Sequence, residues 1–275
     1  MKDSIDFGTT KVSSLFSKLL MPTLLGMVSS ALFVITDGIF VGRGLGSDAL
    51  AAVNIVAPLF LINTGIGLMF GVGASVVASI HLSHGKPKTA RINVTQAVIA
   101  LSMLVAAFSA LIVWRAPGVA CLLGSSERLL VPAVEYIYGA VPFFVFSAML
   151  SAGMFYIRLD ASPRYAMMCN VVPALLNIVL DYLFIFVFHW GVIGAAVATS
   201  LGYIAGAGMV LWYMLMMGRT IKLCRVKTHL RSLRMTRRNV GYMCRLGFPS
   251  LLCEAAIATM MFAGNYVFIA YLGEG

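Results

Sequence analysis

Seven stretches of this chain run long enough without charge to cross a bilayer. They centre on residues 15–41, 55–80, 92–114, 136–157, 166–188, 191–217 and 246–272. A helix needs about 20 apolar residues to traverse roughly 30 Å of hydrocarbon, so each stretch is a complete span. Between residues 182 and 218 there is no Asp, Glu, Lys or Arg at all; that is too long for one span, and His189, Trp190 and Gly191 mark the division. Only 11% of the residues are charged against 60% apolar. A soluble domain carries about 25% charged residues, so a water-facing surface and a disordered chain are both excluded. The expected fold class is all-α: a polytopic membrane protein of six bundled helices plus one more.

The connecting segments carry the turn chemistry that this division needs: GRGLGSD, SHGKPKTAR, RAPG with LGSSER, and RLDASPR. Residues 1–14 read as a cytoplasmic tail, 15–217 as the six-helix lobe, 218–245 as a basic cytoplasmic linker, and 246–275 as the first helix of an incomplete second lobe. The first 14 residues are polar and the apolar stretch behind them exceeds a signal core, so the first span is expected to act as its own targeting signal. Pro22, Pro58, Pro142 and Pro173 fall inside spans, where neighbouring helices can satisfy the freed carbonyls.

The basic residues orient the chain. Of the 20 Lys and Arg, only Arg43, Arg115 and Arg128 fall on one side. The others are Lys2, Lys11 and Lys18, then Lys86, Lys88 and Arg91, then Arg158 and Arg164, and those along the stretch from Arg219 to Arg245. The positive-inside rule then predicts a cytoplasmic N-terminus in a cell (inner) membrane. The long basic stretch suits an anionic leaflet rather than a nucleic acid. Cys121, Cys169, Cys224, Cys244 and Cys253 form no C-x-x-C pair and suggest neither disulfides nor a metal knuckle. No Glu-Glu pair, paired His or Ser with a His at membrane depth is present, so an intramembrane enzyme is not expected, and no cofactor is implied.

Ionisable groups inside the hydrocarbon cost about 2.5–3.5 kcal/mol on insertion scales and are therefore candidates for function. Asp37, Asp181 and Glu254 are the three acids concerned. At about 1.5 Å per residue, Asp37 and Asp181 lie roughly 6–11 Å below the outer surface and Thr199 about 12 Å below it. Asn177 is one turn from Asp181 on the same helix face. These four form one polar slab in the outer half, while Glu254 falls toward the inner end of its span. Two carboxylates in a poorly hydrated pocket cannot both stay charged cheaply, so the pair should bind a proton. With an amide and a hydroxyl added, the same oxygens suit Na⁺ equally well. Glu135, His81, His84 and His189 sit at span ends and read as interfacial. Glycines 65, 67, 71 and 73 on the second span, and 202, 206 and 208 on the sixth, read as packing faces.

MPTLLGM at 21–27 aligns without gaps on FPSLLCE at 248–254, and Leu45-Gly46 then falls on Leu272-Gly273. Repeats of this kind mark transporters whose halves rock about a central site.

Several segments together resemble the multidrug and toxic compound extrusion (MATE) family of cation-coupled efflux transporters. They are Pro22 with VITDGIFVGRGLG, the AAVNIVAP segment with its SHGK loop, and LLNIVLDYLFIF followed by HWGVIGAAVATS. The resemblance spans about residues 15–275. It implies H⁺ or Na⁺ coupling at Asp37, Asn177, Asp181 and Thr199, a bending helix at Pro22, and a secondary coupling acid at Glu254. It also implies expulsion of cationic, lipophilic compounds. Family members carry twelve spans in two bundles, so the expected partners include the lipid bilayer and either the missing second lobe or a dimer mate. A lipid-linked oligosaccharide flippase of the same wider group is the alternative transporter. It would call for cavity-lining Arg and Lys, which spans two to seven lack; a non-transporting fragment is the other alternative.

Overall fold

The computed structural model describes residues 12–224 and 230–272. Most of the expected N-terminal tail, residues 225–229 of the expected linker, and residues 273–275 lie outside the described residues. Helix α1 (Val12–Leu45) turns at Gly46 into α2 (Ser47–Ser83), and a hairpin leads to α3 (Pro87–Trp114). The short α4 (Ala116–Leu122) precedes α5 (Glu127–Ala140), which passes through a 3₁₀ turn at Val141–Phe143 into α6 (Phe144–Leu159). Helix α7 (Pro163–Asp181) and α8 (Gly191–Trp212) each end in a π-helical turn, at Tyr182–Val187 and Tyr213–Met217. Helix α9 (Leu230–Leu272) completes the order. Seven of the resulting helical segments are long and apolar enough to cross a membrane, as expected.

Local chemistry explains the breaks. Gly46 is the single residue between α1 and α2 and adopts φ 91°, a left-handed conformation that a side chain would penalise. Pro142 lies in the 3₁₀ turn that joins α5 to α6. One span therefore consists of two helical pieces, and it begins at Glu127 rather than at residue 136.

Helix α2 is the axis of the bundle, with α3, α5, α6 and α9 packed around it. Its glycines make this possible. A Cβ on Gly67 or Gly71 would press within 2.9 Å of the backbone of Ala148 or Ala152 on α6. Gly73 lies against the carbonyl of Met243, and Gly247 of α9 against the carbonyl of Met69. On α8, Gly206 accommodates Leu150 and Pro173 in the same way, whereas Gly208 faces open space and packs against nothing. Helix α1 rests mainly on α7 and leaves most of its length uncovered.

Within the stretch read as a basic linker, residues 218–224 and 230–245 are described. Its second half, from Leu230 onward, already belongs to α9, so that helix starts well before residue 246. Its first residues are clamped by Asp160, whose local sequence gives only the signal of an ordinary turn. The Asp160 carboxylate is buried and accepts hydrogen bonds from the Tyr213 hydroxyl (2.9 Å) and from the backbone N–H groups of Arg219 (2.7 Å), Thr220 (2.7 Å) and Ile221 (3.0 Å). Arg91 donates to the carbonyls of Thr220 and Arg219 at 2.8 and 3.1 Å. Three converging N–H groups and a phenol solvate this carboxylate in place of water.

Hydrogen bonds to a charged group are worth about 1.5–3 kcal/mol each, so Tyr213→Phe should destabilise the protein by an amount in that range. Asp160→Ala should cost more, because several backbone donors lose their acceptor together. Thermal unfolding in detergent measures both.

Candidate functional site

Asp181 is the last residue of α7, just before the helix loosens into its π turn. It is fully buried, with Asn177 one turn below it at 2% exposure. Turns of this π type occur often at functional sites. The amide of Asn177 is oriented by its neighbours: its nitrogen donates to Asp181 Oδ2 at 2.6 Å, and its oxygen accepts from the Thr199 N–H at 3.0 Å. The amide lies 3.3 Å from the Thr199 hydroxyl on α8. Asp37 reaches in from α1, and its carboxyl group is within hydrogen-bonding reach of that of Asp181. Two carboxyl groups make such a contact only when one carries a proton or a cation lies between them. The Oδ1 atoms of both Asp37 and Asp181 are buried without a hydrogen-bond partner. A proton or a small hard cation would satisfy them.

The four outer-half residues read from depth and helix spacing are thus brought together. Two tyrosines that the sequence reading passed over complete the surroundings. Tyr136 of α5 is buried at 4% exposure beside the Thr199 hydroxyl, and Tyr203 of α8 shares a cavity wall with Asn177 and Thr199. Tyr203 is one turn after Thr199, so the i, i+4 rule that linked Asn177 to Asp181 could have found it. Tyr136 carried no comparable signal.

Below the carboxyl pair lies a cavity of about 390 Å³ lined by residues of six helices. Asn177 and Thr199 form part of its wall, together with Ser30 of α1, Asn170 of α7, Tyr203 of α8 and Glu254 of α9. Glu254 therefore shares a cavity with Asn177 and Thr199, although its depth along the span set it apart from them. Sequence depth misses this because the cavity runs along the bundle. Pro22 is separate. It lies about 22 Å along α1 from Asp37 at the helical rise, inside a helix that continues through it. Its neighbour Thr23 donates its hydroxyl to the carbonyl of Leu19 at 2.8 Å.

Membrane-spanning helices around a largely apolar cavity that carries a few polar side chains, with an acid pair beside it formed by buried Asp181 and partly buried Asp37, make up a transporter lobe. The MatE family model matches residues 22–183, more than half of the chain, and the chain belongs to the MATE family. It is 26% identical over 216 residues to the FAD transporter of Shewanella oneidensis, covering 76% of this chain and 47% of that protein. It is also 26% identical over 201 residues to the multidrug export protein MepA of Staphylococcus aureus, covering 71% and 43% respectively. The chain spans about half the length of these curated relatives. Among solved structures, the MATE multidrug transporter DinF-BH superposes with a TM-score of 0.82 at 25% identity, over 98% of this chain and 60% of that one. An outward-facing MATE transporter of the MOP superfamily gives 0.79 over 94% of this chain and 56% of that one; at 24% identity it supports the fold alone.

Facing carboxylates repel one another when both are ionised. Asp37→Asn should therefore raise the melting temperature at alkaline pH, where the wild-type pair carries its full charge. The gain should shrink toward acid pH, where the wild-type pair can share a proton. A pH series of thermal melts in detergent reads out the difference.

Proposed function

We propose that this chain supplies the ion-coupling lobe of an antiporter, in which H⁺ or Na⁺ entering at Asp37 and Asp181 drives expulsion of cationic amphipathic compounds. The observation that carries this reading is the Asp37–Asp181 pair, whose two Oδ1 atoms are buried and unsatisfied, adjoining a cavity walled in part by Asn177 and Thr199. Asn177 fixes the rotamer of Asp181, and Thr199 and Tyr136 offer hydroxyl oxygens to the incoming ion. Binding the ion relieves the mutual repulsion of the carboxylates and draws α1 against α7 and α8. The empty pair, with both charges exposed to one another, favours the arrangement in which α1 stands away. An ion that binds one arrangement better than the other shifts their populations by that difference in affinity. Pro22, where α1 lacks one internal hydrogen bond, is the place where the helix bends between them.

The cavity lining bears on the substrate. Among the described residues no Lys or Arg lines the cavity, and the charged side chain in its wall is Glu254. A carboxylate above an apolar and hydroxyl-bearing surface complements a lipophilic cation. The relative named as an FAD transporter suggests a second substrate class, but a dinucleotide diphosphate would need basic groups that this lining lacks. A lipid-linked sugar phosphate meets the same objection. Glu254 in this reading holds the cationic compound or a second coupling ion, and the two compete for it.

The decisive experiment places Asp181→Asn in a chain carrying both lobes and follows ethidium efflux from proteoliposomes under an imposed H⁺ or Na⁺ gradient. Gradient-driven efflux is expected to vanish; unchanged efflux refutes the coupling role. The membrane orientation is proposed from the basic residues, with the N-terminus in the cytoplasm. Cys121 in α4 is exposed at the opposite end of the bundle from the α2–α3 hairpin. A membrane-impermeant maleimide should label it in intact spheroplasts, and labelling only after lysis would reverse the topology.

A further inference from the structure

A second cleft, of about 370 Å³, opens between α1, α2 and α6 at the end of the bundle opposite the acid pair. Its polar wall comprises Thr23, Ser75, Ser79 and Arg158, and its apolar wall includes Val76 and Phe155. The three hydroxyls are already committed to their own helices. Thr23 donates to Leu19 O at 2.8 Å, Ser75 to Val72 O at 2.9 Å and Ser79 to Val76 O at 2.8 Å. Charge recognition in the cleft therefore falls to Arg158. Its guanidinium is partly buried and lies 5.8 Å from the Phe155 ring centroid. Among the described residues no Asp or Glu lines the cleft and Arg158 makes no ion pair.

We infer that this cleft is a binding site for the phosphate of an anionic phospholipid, with Arg158 as its counter-charge. A half-desolvated guanidinium is costly unless an anion joins it, and its planar donor fork matches two phosphate oxygens. The position favours a lipid over a soluble phosphate. Arg158 is in the last turn of α6, at the bundle end where Lys86, Lys88, Arg91 and Arg164 also cluster and where the headgroups of that leaflet lie. The cleft opens sideways, with Val76 and Ile80 of α2 exposed beside it at 38% and 43%. Acyl chains would lie along that apolar flank while the phosphate meets Arg158. Because the cleft contacts α1 near Pro22, an occupied site would brace the inner half of that helix.

Native mass spectrometry of the chain, released from micelles containing phosphatidylglycerol and phosphatidylcholine with matched acyl chains, tests this. Strong collisional activation removes lipids held only by surface charge. The wild type is expected to retain phosphatidylglycerol over phosphatidylcholine by about tenfold, as a charge-assisted bidentate pair supplies. Arg158→Gln should abolish the preference. Val76→Trp, which fills the cleft at an exposed position while keeping the guanidinium and the basic segment, should abolish it too and should melt like wild type. Equal retention of the two lipids by the wild type, or undiminished preference in either variant, would overturn the proposal. Displacement of phosphatidylglycerol by an equal concentration of inorganic phosphate would overturn it as well, assigning the cleft to a soluble anion.

Discussion

Two carboxyl groups held face to face where water is scarce are the constraint around which this bundle is organised. Neither oxygen pair can be fully satisfied from within the protein. Asn177 serves one oxygen of Asp181, and the remaining Oδ1 atoms of both acids stay without partners. Everything close by is arranged to keep that deficit in place. The π turn after Asp181 ends the regular helix where the acid emerges. Phe184 and Trp190 stack at 4.7 Å across the turn that leads into α8, so the segment bearing Asp181 is tied to the one bearing Thr199. Unpaired buried polar atoms cost stability in a low-dielectric interior, so this deficit is relieved whenever a proton or a small cation satisfies the two oxygens.

Much of the architecture could be read directly from residues. Charge-free runs define spans because the hydrocarbon admits few alternatives to helix. The i, i+4 relation of Asn177 and Asp181, with helix rise converted to depth, was enough to gather the four polar residues that the fold brings together. The same conversion separated Glu254 from them, since depth along one helix says nothing about a cavity running between six. Tyr136 was hidden because a tyrosine near a span end has the ordinary look of an interfacial anchor. The most visible error of boundary was the basic stretch before α9. Its density of Arg and Lys argues for a loop in a reading based on hydropathy, yet from Leu230 onward the backbone is helical and continuous with the seventh span. Asp160 was missed for a related reason: in RLDASPR it has the composition of a turn, and its role depends on backbone donors about 60 residues away that no local pattern reveals.

The two cavities differ in chemistry. The one beneath the acid pair carries carboxylate, amide and hydroxyl groups without a cation, while the one at the basic end carries a guanidinium without an acid. Opposite charges at opposite ends of one bundle would discriminate between ligands of opposite sign, a cation being disfavoured beside Arg158 and an anion beside Glu254.

Where α9 crosses α2, carbonyls on each helix sit against a glycine of the other, with Gly73 facing Met243 and Gly247 facing Met69. No side-chain layer separates the two backbones there, so there is nothing to slide or re-pack. Mechanically the last helix is keyed to the central one and must travel with it. Any swivel between this bundle and a second one would then be located beyond that crossing, toward the far end of α9, rather than in the arginine-rich stretch that looks from its composition like the natural joint.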